Sequence, residues 1–378
     1  MIRLLFLIRS LGAGGAERQL VELVKGLDKS RFAVTVATFY GGGAFRGELD
    51  GLRNVRVVSL EKKGRWDVLP FVARLWRVAR RTRPHVILSS MGISNELGLV
   101  VGRAAGAKVV WSLRTSDIDF SHYGWMSRWS FRVGALLSRF PDLIIANSHS
   151  GKEYHIARGY YGKRMIVISN GIDTDTFRPD AEAGMRVRRE WGIGEEERVI
   201  GIVGRLVPVK DHSTFLRAAA LLVGEQCAAR FVCVGGGAGE YQTALRSLAS
   251  DLGLDGKVVW AGARSDMPAV YNALDVACSS SIGEGLPNVV AEAMATGVPC
   301  IVTDVGDSAR LVGQSGVVQM VVPKGNPEAI AAAWIGLLNL SPDERAALGR
   351  QARERILSEY SVAQLVRRTE AALLGLLH

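Results

Sequence analysis

Short apolar runs alternate with helical stretches along this chain, and the alternation starts afresh midway. Ile2 to Ile8, Phe32 to Thr38, Val55 to Ser59, Val86 to Ser89, Val109 to Leu113, Leu143 to Asn147 and Ile166 to Ser169 read as strands. A second series follows: Val199 to Val203, Ala229 to Val234, Val258 to Trp260, Val276 to Ser279 and Cys300 to Thr303. Helical stretches separate these runs in both halves of the chain. The pattern predicts α/β architecture with two doubly wound, parallel-sheet domains. After Asn170-Gly-Ile-Asp173 a polar segment runs to about Gly184 and reads as the connection between them.

At 378 residues with 48% hydrophobic and 22% charged positions, the chain can bury two cores. Cys227, Cys233, Cys278 and Cys300 show no CxxC spacing, and three fall in core strands, so they read as thiols of a reducing compartment, neither disulfides nor zinc ligands. The apolar run Ile2–Ile8 is flanked by Arg9 and interrupted by Arg3, too short for a membrane span and unlike a signal peptide; the expectation is a cytoplasmic protein. Charge is unequal. Residues 1–180 carry 28 Lys and Arg against 15 Asp and Glu, whereas residues 181–378 carry 19 against 22. A basic first half suits an anionic partner or surface.

In doubly wound sheets ligands sit beyond the carboxyl ends of the strands. The unusual residues fall in those loops: Gly14, Gly15, Arg114, Arg205, Lys210 and Glu284. The densest stretch is Ser279–Ile301. Glu284 closes a loop of small polar residues, Pro287 marks a helix start, and Gly297 and Pro299 end the helix. A helix start offers free N–H groups to a phosphate or other anion. Glu284 and, eight residues later, Glu292 offer carboxylates to hydroxyl groups. The bland alternative is a solvated Glu284 and a satisfied core carboxylate at Glu292, but burial in so apolar a helix is costly without a partner.

Two glycine-rich turns, Gly12–Gly15 and Gly235–Gly239, miss the dinucleotide spacing because positions 17 and 240 are Glu. Asp67 to Thr82 is a helix with Arg74, Arg77, Arg80 and Arg81. Phe120 to Arg139 is aromatic and basic, with His122, Tyr123, Trp125 and Trp129. Both stretches have the composition to meet an anionic membrane, or an acceptor in the second case; a helix with solvated arginines is the alternative for the first.

Four motifs, GGAER from Gly14, ISNGID from Ile168, VGRLVPVKDH from Val203 and EGLPNVVAEAMATGVPCI from Glu284, together resemble retaining glycosyltransferases of family 4. The resemblance implies the GT-B architecture, two facing Rossmann-like domains with a cleft between them. The domains would be residues 1–172 with a returning C-terminal helix at about 360–378, on the acceptor side, and residues 185–359, which bind the nucleotide sugar. It implies catalytic roles for Arg205, Lys210 and Glu284. Arg205 and Lys210 would hold the donor diphosphate, Glu284 the sugar hydroxyls and Glu292 the ribose. Gly14 and Gly15 would close on the phosphates, Gly285, Leu286 and Asn288 would line the helix end, and Gly262, Ala263 and Arg264 would receive the base. Where many members carry a His after the strand ending at Leu113, this chain has Arg114-Thr-Ser-Asp117. Arg114, Asp117 and His122 are the candidates for contact with the sugar or acceptor, and His212 reads as a helix cap.

The expected activity is therefore transfer of a sugar, with retention, from a nucleotide sugar (a UDP-sugar) to a glycan or lipid-linked acceptor in envelope or polysaccharide synthesis. No metal or other cofactor is expected, nor nucleic acid; peripheral contact with the inner face of an anionic membrane is. The rival readings are a nucleotide-sugar epimerase of the same architecture and an inactive sugar-nucleotide-binding subunit.

Overall fold

The computed structural model describes residues 1–64, 66–90, 92–116, 125–224, 228–237, 239–313 and 318–377, with the backbone alone at 125–127. Contacts divide the chain into two compact units, Met1–Gly171 with Val362–His378, and Ile172–Ser361.

The first unit holds a seven-stranded sheet of β1 (Ile2–Ile8), β2 (Phe32–Thr38), β3 (Val55–Ser59), β4 (Val86–Ser90), β5 (Lys108–Leu113), β6 (Leu143–Ala146) and β7 (Met165–Val167). The order is β3-β2-β1-β4-β5-β6-β7, and every pairing is parallel. Its helices are α1 (Gly15–Gly26), α2 (Val68–Thr82), α3 (Ile93–Ala104), α4 (Trp125–Leu137) and α5 (His149–Ala157). Strand periodicity sends alternate side chains to opposite faces. Leu4, Phe6 and Ile8 accordingly join one apolar cluster with Leu20 and Val24 of α1, while Leu5 and Leu7 join Phe71 and Leu75 of α2 in another.

The second unit opens with α6 (Ala181–Glu190) and contains β8 (Arg198–Val203), β9 (Ala229–Val234), β10 (Val258–Gly262), β11 (Val276–Ser279), β12 (Cys300–Thr303) and β13 (Val321–Val322) in the order β10-β9-β8-β11-β12-β13. Its other helices are α7 (His212–Gly224), α8 (Gly239–Asp251), α9 (Met267–Asn272), α10 (Asn288–Ala295), α11 (Ser308–Val312), α12 (Pro327–Leu338) and α13 (Pro342–Arg355). Phe215, Phe231 and Trp334 meet edge-on or tilted in one core layer, with centroids 5.3–6.2 Å apart. The stretch read as a polar connection up to Gly184 is helical from Ala181. Asp180 caps it by accepting from the Ala183 N–H, and Gly184 packs so closely on α9 that a Cβ would lie 2.2 Å from the Asn272 carbonyl oxygen. Sequence periodicity concealed this helix because only Ala183, Gly184 and Val187 are buried on it.

The chain then returns. α14 (Val362–Gly375) packs on α1 in the first unit, placing Leu365, Val366 and Leu373 in the cluster that holds Leu4 and Phe6. Cys233, Cys278 and Cys300 are free and buried; Cys227 lies outside the described residues. No helix among the described residues is long and apolar enough to cross a membrane.

Candidate functional site

In the second sheet the strand order reverses direction between β8 and β11, which lie side by side and parallel. Loops leaving adjacent strands at such a point diverge and leave a crevice. The β8 loop carries Arg205 and Lys210; the β11 loop carries Ser280 to Glu284.

These loops are joined by side chains and backbone alike. Lys210 Nζ is hydrogen-bonded to Glu284 Oε1, and the Ser281 hydroxyl donates to the same oxygen at 2.7 Å. Beneath them the fully buried Ser280 hydroxyl donates to the carbonyls of Asp211 at 2.8 Å and Lys210 at 3.1 Å. The Ile282 N–H reaches the Val209 carbonyl at 2.9 Å. Lys210 and Glu284 are only 20% and 12% exposed, so their pairing is partly shielded from water, where a fixed charge acts more strongly. Arg205, five residues earlier, is exposed.

The Glu284 loop is also fixed from its other side. The Asp307 N–H donates to the Gly285 carbonyl at 2.8 Å. Gly306, with φ +57°, passes so close that a Cβ there would lie 2.2 Å from the Glu284 carbonyl oxygen. Pro287 occupies the position before the first helical residue, so α10 begins at Asn288. Leu286 is buried in the apolar cluster of α10, beside the more open Gly285. Glu292 is half-buried on α10 and accepts from the Tyr271 hydroxyl at 2.8 Å. Burial and the neighbouring Glu292 carboxylate raise the Tyr271 hydroxyl well above its ordinary pKa, so it remains a donor.

Gly262, the last residue of β10, has φ +67°, and Ala263 after it lies beside Gly236 of the β9 loop. The Arg264 guanidinium is already engaged: it donates to both carboxylate oxygens of Asp266, at 2.8 and 2.6 Å, and to Glu190 of α6 at 3.0 Å. What this loop offers a planar ligand is therefore its backbone and Ala263.

His212 departs from the role expected of it. Asp211 caps α7 instead, accepting from the Thr214 N–H at 3.2 Å and from the Ser213 and Thr214 hydroxyls at 2.7 and 2.6 Å. A carboxylate outcompetes an imidazole for helix N–H groups because its charge complements the helix dipole. The His212 ring is fully buried, with neither nitrogen hydrogen-bonded among the described residues, and burial together with Lys210 pushes its pKa down to about 4.

In the first unit, Gly14 is the N-cap of α1 and Gly15 its first residue. The buried Gln19 amide clasps Gly171, donating to its carbonyl at 2.8 Å and accepting from its N–H at 2.7 Å. Arg114 donates to Ser112 Oγ at 3.0 Å and to Asn170 Oδ1, in the ISNGID motif, at 2.7 Å. Burial lowers its pKa to about 10, which leaves it charged at neutral pH. Asp117 and His122 lie outside the described residues.

Sequence reasoning missed Ser280, Ser281, Tyr271 and Asp211; the signal for the first two was the serine run preceding Glu284. Among the described residues no group of three or more His, Cys, Asp or Glu side chains gathers to hold a metal.

Two family models match the chain: Glycosyltransferase Family 4 over residues 13–176 and Glycosyl transferases group 1 over residues 197–340. A putative glycosyltransferase, EpsF, of Bacillus subtilis is 26% identical over 313 residues, covering 80% of this chain and 79% of its own. A UDP-Gal:alpha-D-GlcNAc-diphosphoundecaprenol alpha-1,3-galactosyltransferase of Escherichia coli is 32% identical over 171 residues, 45% of this chain and 44% of that protein. A D-inositol 3-phosphate glycosyltransferase of Corynebacterium urealyticum is 32% identical over 240 residues, 60% of this chain and 55% of the relative. The chain thus spans about half the length of these last two relatives. Among solved structures, Anabaena Alr3699/HepE in complex with UDP-glucose superposes with a TM-score of 0.82 at 24% identity, covering 99% of this chain and all of that one. WaaG, a glycosyltransferase involved in lipopolysaccharide biosynthesis, superposes with a TM-score of 0.69 at 16% identity, covering 97% and 98%.

Proposed function

The chain belongs to glycosyltransferase family 4 and has the GT-B type of fold, and on that premise we propose that it transfers a sugar from a UDP-sugar, with retention, to a lipid-linked or other membrane-associated glycan. That it is a glycosyltransferase acting on nucleotide sugars follows from the family; the nucleotide, stereochemistry and acceptor are the proposal.

The observation that carries the donor reading is the joining of Lys210 to Glu284 at the point where strand order reverses. In this reading the diphosphate lies against Lys210, Arg205 and the amino end of α10, with Gly285, Leu286 and Asn288 along its side. An ammonium has three donors, so Lys210 retains Glu284 while a second N–H meets a phosphate oxygen. Charge that develops on the departing diphosphate is met by groups already in position, at no reorganisation cost during the reaction. Glu284 has a second carboxylate oxygen for a sugar hydroxyl, and Glu292 accepts from the ribose as it does from Tyr271. The backbone of Gly262 to Arg264 receives the base, and the head of α1 at Gly14 and Gly15 is assigned a phosphate. Arg114, fixed by Ser112 and Asn170, takes the place of the family's His as an orienting cation. No metal is assigned. Support for the UDP and lipid-linked parts comes from the relatives: one is named for UDP-Gal and a diphosphoundecaprenol acceptor, and one solved neighbour holds UDP-glucose. The basic first half supports work at the inner face of an anionic membrane.

Thermal-shift titration of the purified protein against UDP-, GDP- and ADP-sugars tests the donor. A ligand that binds only the folded state raises its midpoint with saturation. The reading requires a shift with a UDP-sugar that Glu292→Ala removes. A shift confined to GDP- or ADP-sugars would overturn the nucleotide, and NMR of the anomeric product would decide the stereochemistry.

A further inference from the structure

The first sheet has a reversal of strand order of its own. β1 and β4 lie side by side, and the order turns back between them, which leaves a crevice beyond their carboxyl ends. The helices that leave this point, α1 and α3, both start after a glycine, Gly14 and Gly92, and neither has a side-chain cap. Their first N–H groups are therefore open to a ligand. The head of α1 already carries a phosphate in the reading above; the head of α3 carries nothing.

The start of α3 is fixed by its seat. A Cβ at Gly98 would lie 2.7 Å from Ser89 Oγ, and one at Gly102 would lie 2.6 Å from Val109 Cγ2, so the helix presses directly on β4 and β5. Ser94 and Asn95, four and three residues before Gly98, share that face one turn nearer the start. This sets them over the carboxyl end of β4, whose last residue is Ser90. Ser90, Ser94 and Asn95 are 4%, 1% and 3% exposed, yet none of the three side chains has a hydrogen-bond partner among the described residues. Buried polar groups are ordinarily paired, and an unpaired one is costly. Three together at an open helix start mark a place where a ligand completes the bonding.

The chemistry of the place is that of donors. Asn95 Oδ1 is sealed from solvent, which leaves the amide NH2 as the end that meets the opening, beside two hydroxyls and the helix N–H groups. Ser90 stands opposite Ser112 in the β4–β5 register, and Ser112 Oγ holds Arg114, so a cation lies one strand away. Glu96, the acid of the first turn, is turned towards α4, its Oε1 lying 3.3 Å from where a Gly134 Cβ would be.

We propose that this end of α3 is an oxyanion site for the phosphoryl group of a sugar phosphate or diphosphate acceptor, held by Ser90, Ser94, Asn95 and the first helix N–H groups. Donors that arrive from a strand end, a helix axis and a helix face suit a group with three oxygens better than a flat carboxylate. The donor diphosphate already has Lys210, Arg205 and the head of α10 in the other unit, so this anion belongs to the second substrate. The proposal rests on the sugar-transfer reading above and names the chemical class of its acceptor.

Calorimetric titration of the full chain under saturating UDP tests it, with hexose 1-phosphates, the matching methyl glycosides and decyl diphosphate esters of the same hexoses as probes. The phosphorylated probes are expected to bind in competition with inorganic phosphate, and the methyl glycosides to bind about 100-fold more weakly or not at all. The Ser90→Ala, Ser94→Ala variant is expected to lose about 100-fold in affinity for the phosphorylated probes, about tenfold for each hydroxyl bond to a charged group, and Asn95→Ala about tenfold. Removing hydroxyls that bond nothing in the free protein should leave the melting midpoint of the serine variant in place, so lost binding is not lost folding. Undiminished binding by both variants, equal binding of the methyl glycosides, or no binding of any phosphorylated probe would overturn the proposal. A UDP-sugar thermal shift on the same samples separates it from the donor reading. If the wild type shows no shift while sugar phosphates bind and the variants lose them, the donor reading fails and this site stands. A shift that the serine variant loses would give the site to the donor and overturn the proposal. Binding of the decyl diphosphate esters tighter by about tenfold or more assigns the phosphoryl group to a lipid-linked acceptor, and equal binding assigns it to a soluble sugar phosphate.

Discussion

Gly306→Ala offers the sharpest test of how the donor loop is held. At φ +57° an alanine costs about 1–2 kcal/mol in backbone strain alone. Its Cβ would also lie 2.2 Å from the Glu284 carbonyl oxygen and 2.7 Å from that of Gly285, both backbone atoms. Ordinary contact needs roughly 3.4 Å, so one loop must retreat by about 1 Å. The Glu284 side chain moves with its backbone, and a misplacement of about 1 Å at a reacting centre costs on the order of 100-fold in rate. Gly325 supplies the control, because its φ is +66° and nothing lies within 4 Å of a Cβ there. Gly325→Ala therefore carries the strain without the displacement. We expect both variants to melt several degrees lower, at roughly 2–4 °C per kcal/mol for a unit of this size. Only Gly306→Ala should lose transfer, measured as release of nucleoside diphosphate under saturating donor. Equal activities in the two variants would refute the idea that the β12 loop sets the position of Glu284.

Other consequences are testable with fewer steps. Glu284→Ala and Lys210→Ala should each lower transfer by about 100-fold or more, on the order of 3 kcal/mol of transition-state stabilisation, and turnover near wild type in either would contradict the site. Tyr271→Phe removes one hydrogen bond to Glu292, so stability should drop by about 1 kcal/mol and nucleotide affinity several-fold, as read by denaturant titration and calorimetry. His212, ordinarily near 6.5, is held at about 4, so the unfolded chain takes up a proton there that the folded one refuses. Stability should then fall as pH drops from 6.5 towards 4, by about 3 kcal/mol at most, and His212→Leu should flatten that decline. Glu96 is pushed up by burial to about 7 and works in the opposite sense, its contribution being lost as pH rises from 4.5 through 7; Glu96→Gln separates the two.

The sheets were legible because short apolar runs alternate with helices throughout both halves, the pattern of parallel strands joined by crossover helices. β13 was not, since two residues carry no period. Strand order was equally hidden: nothing local tells that β11 lies beside β8, and that neighbourhood is what joins Glu284 to Lys210. Glu284, Glu292 and Lys210 drew attention by residue type and by their place after strands, but only the family resemblance assigned them roles. Their supports did not stand out, because Ser280 and Ser281 look like any polar loop until a second loop lies within hydrogen-bond reach. His212 misled because a polar residue at a helix start invites a capping role, while Asp211 one position earlier meets that need better.

The return of α14 to the first unit has a consequence for how the protein is made. Ile172 and Ser361 bridge in parallel, so the second unit enters and leaves at one point, like a bead threaded onto a closed loop. That unit is contiguous and can condense while synthesis continues. The other must wait with part of its core uncovered, because Leu365, Val366 and Leu373 are made more than three hundred residues after Leu4, Phe6 and Ile8, whose cluster they complete. The half of the molecule that is born first is thus the one finished last.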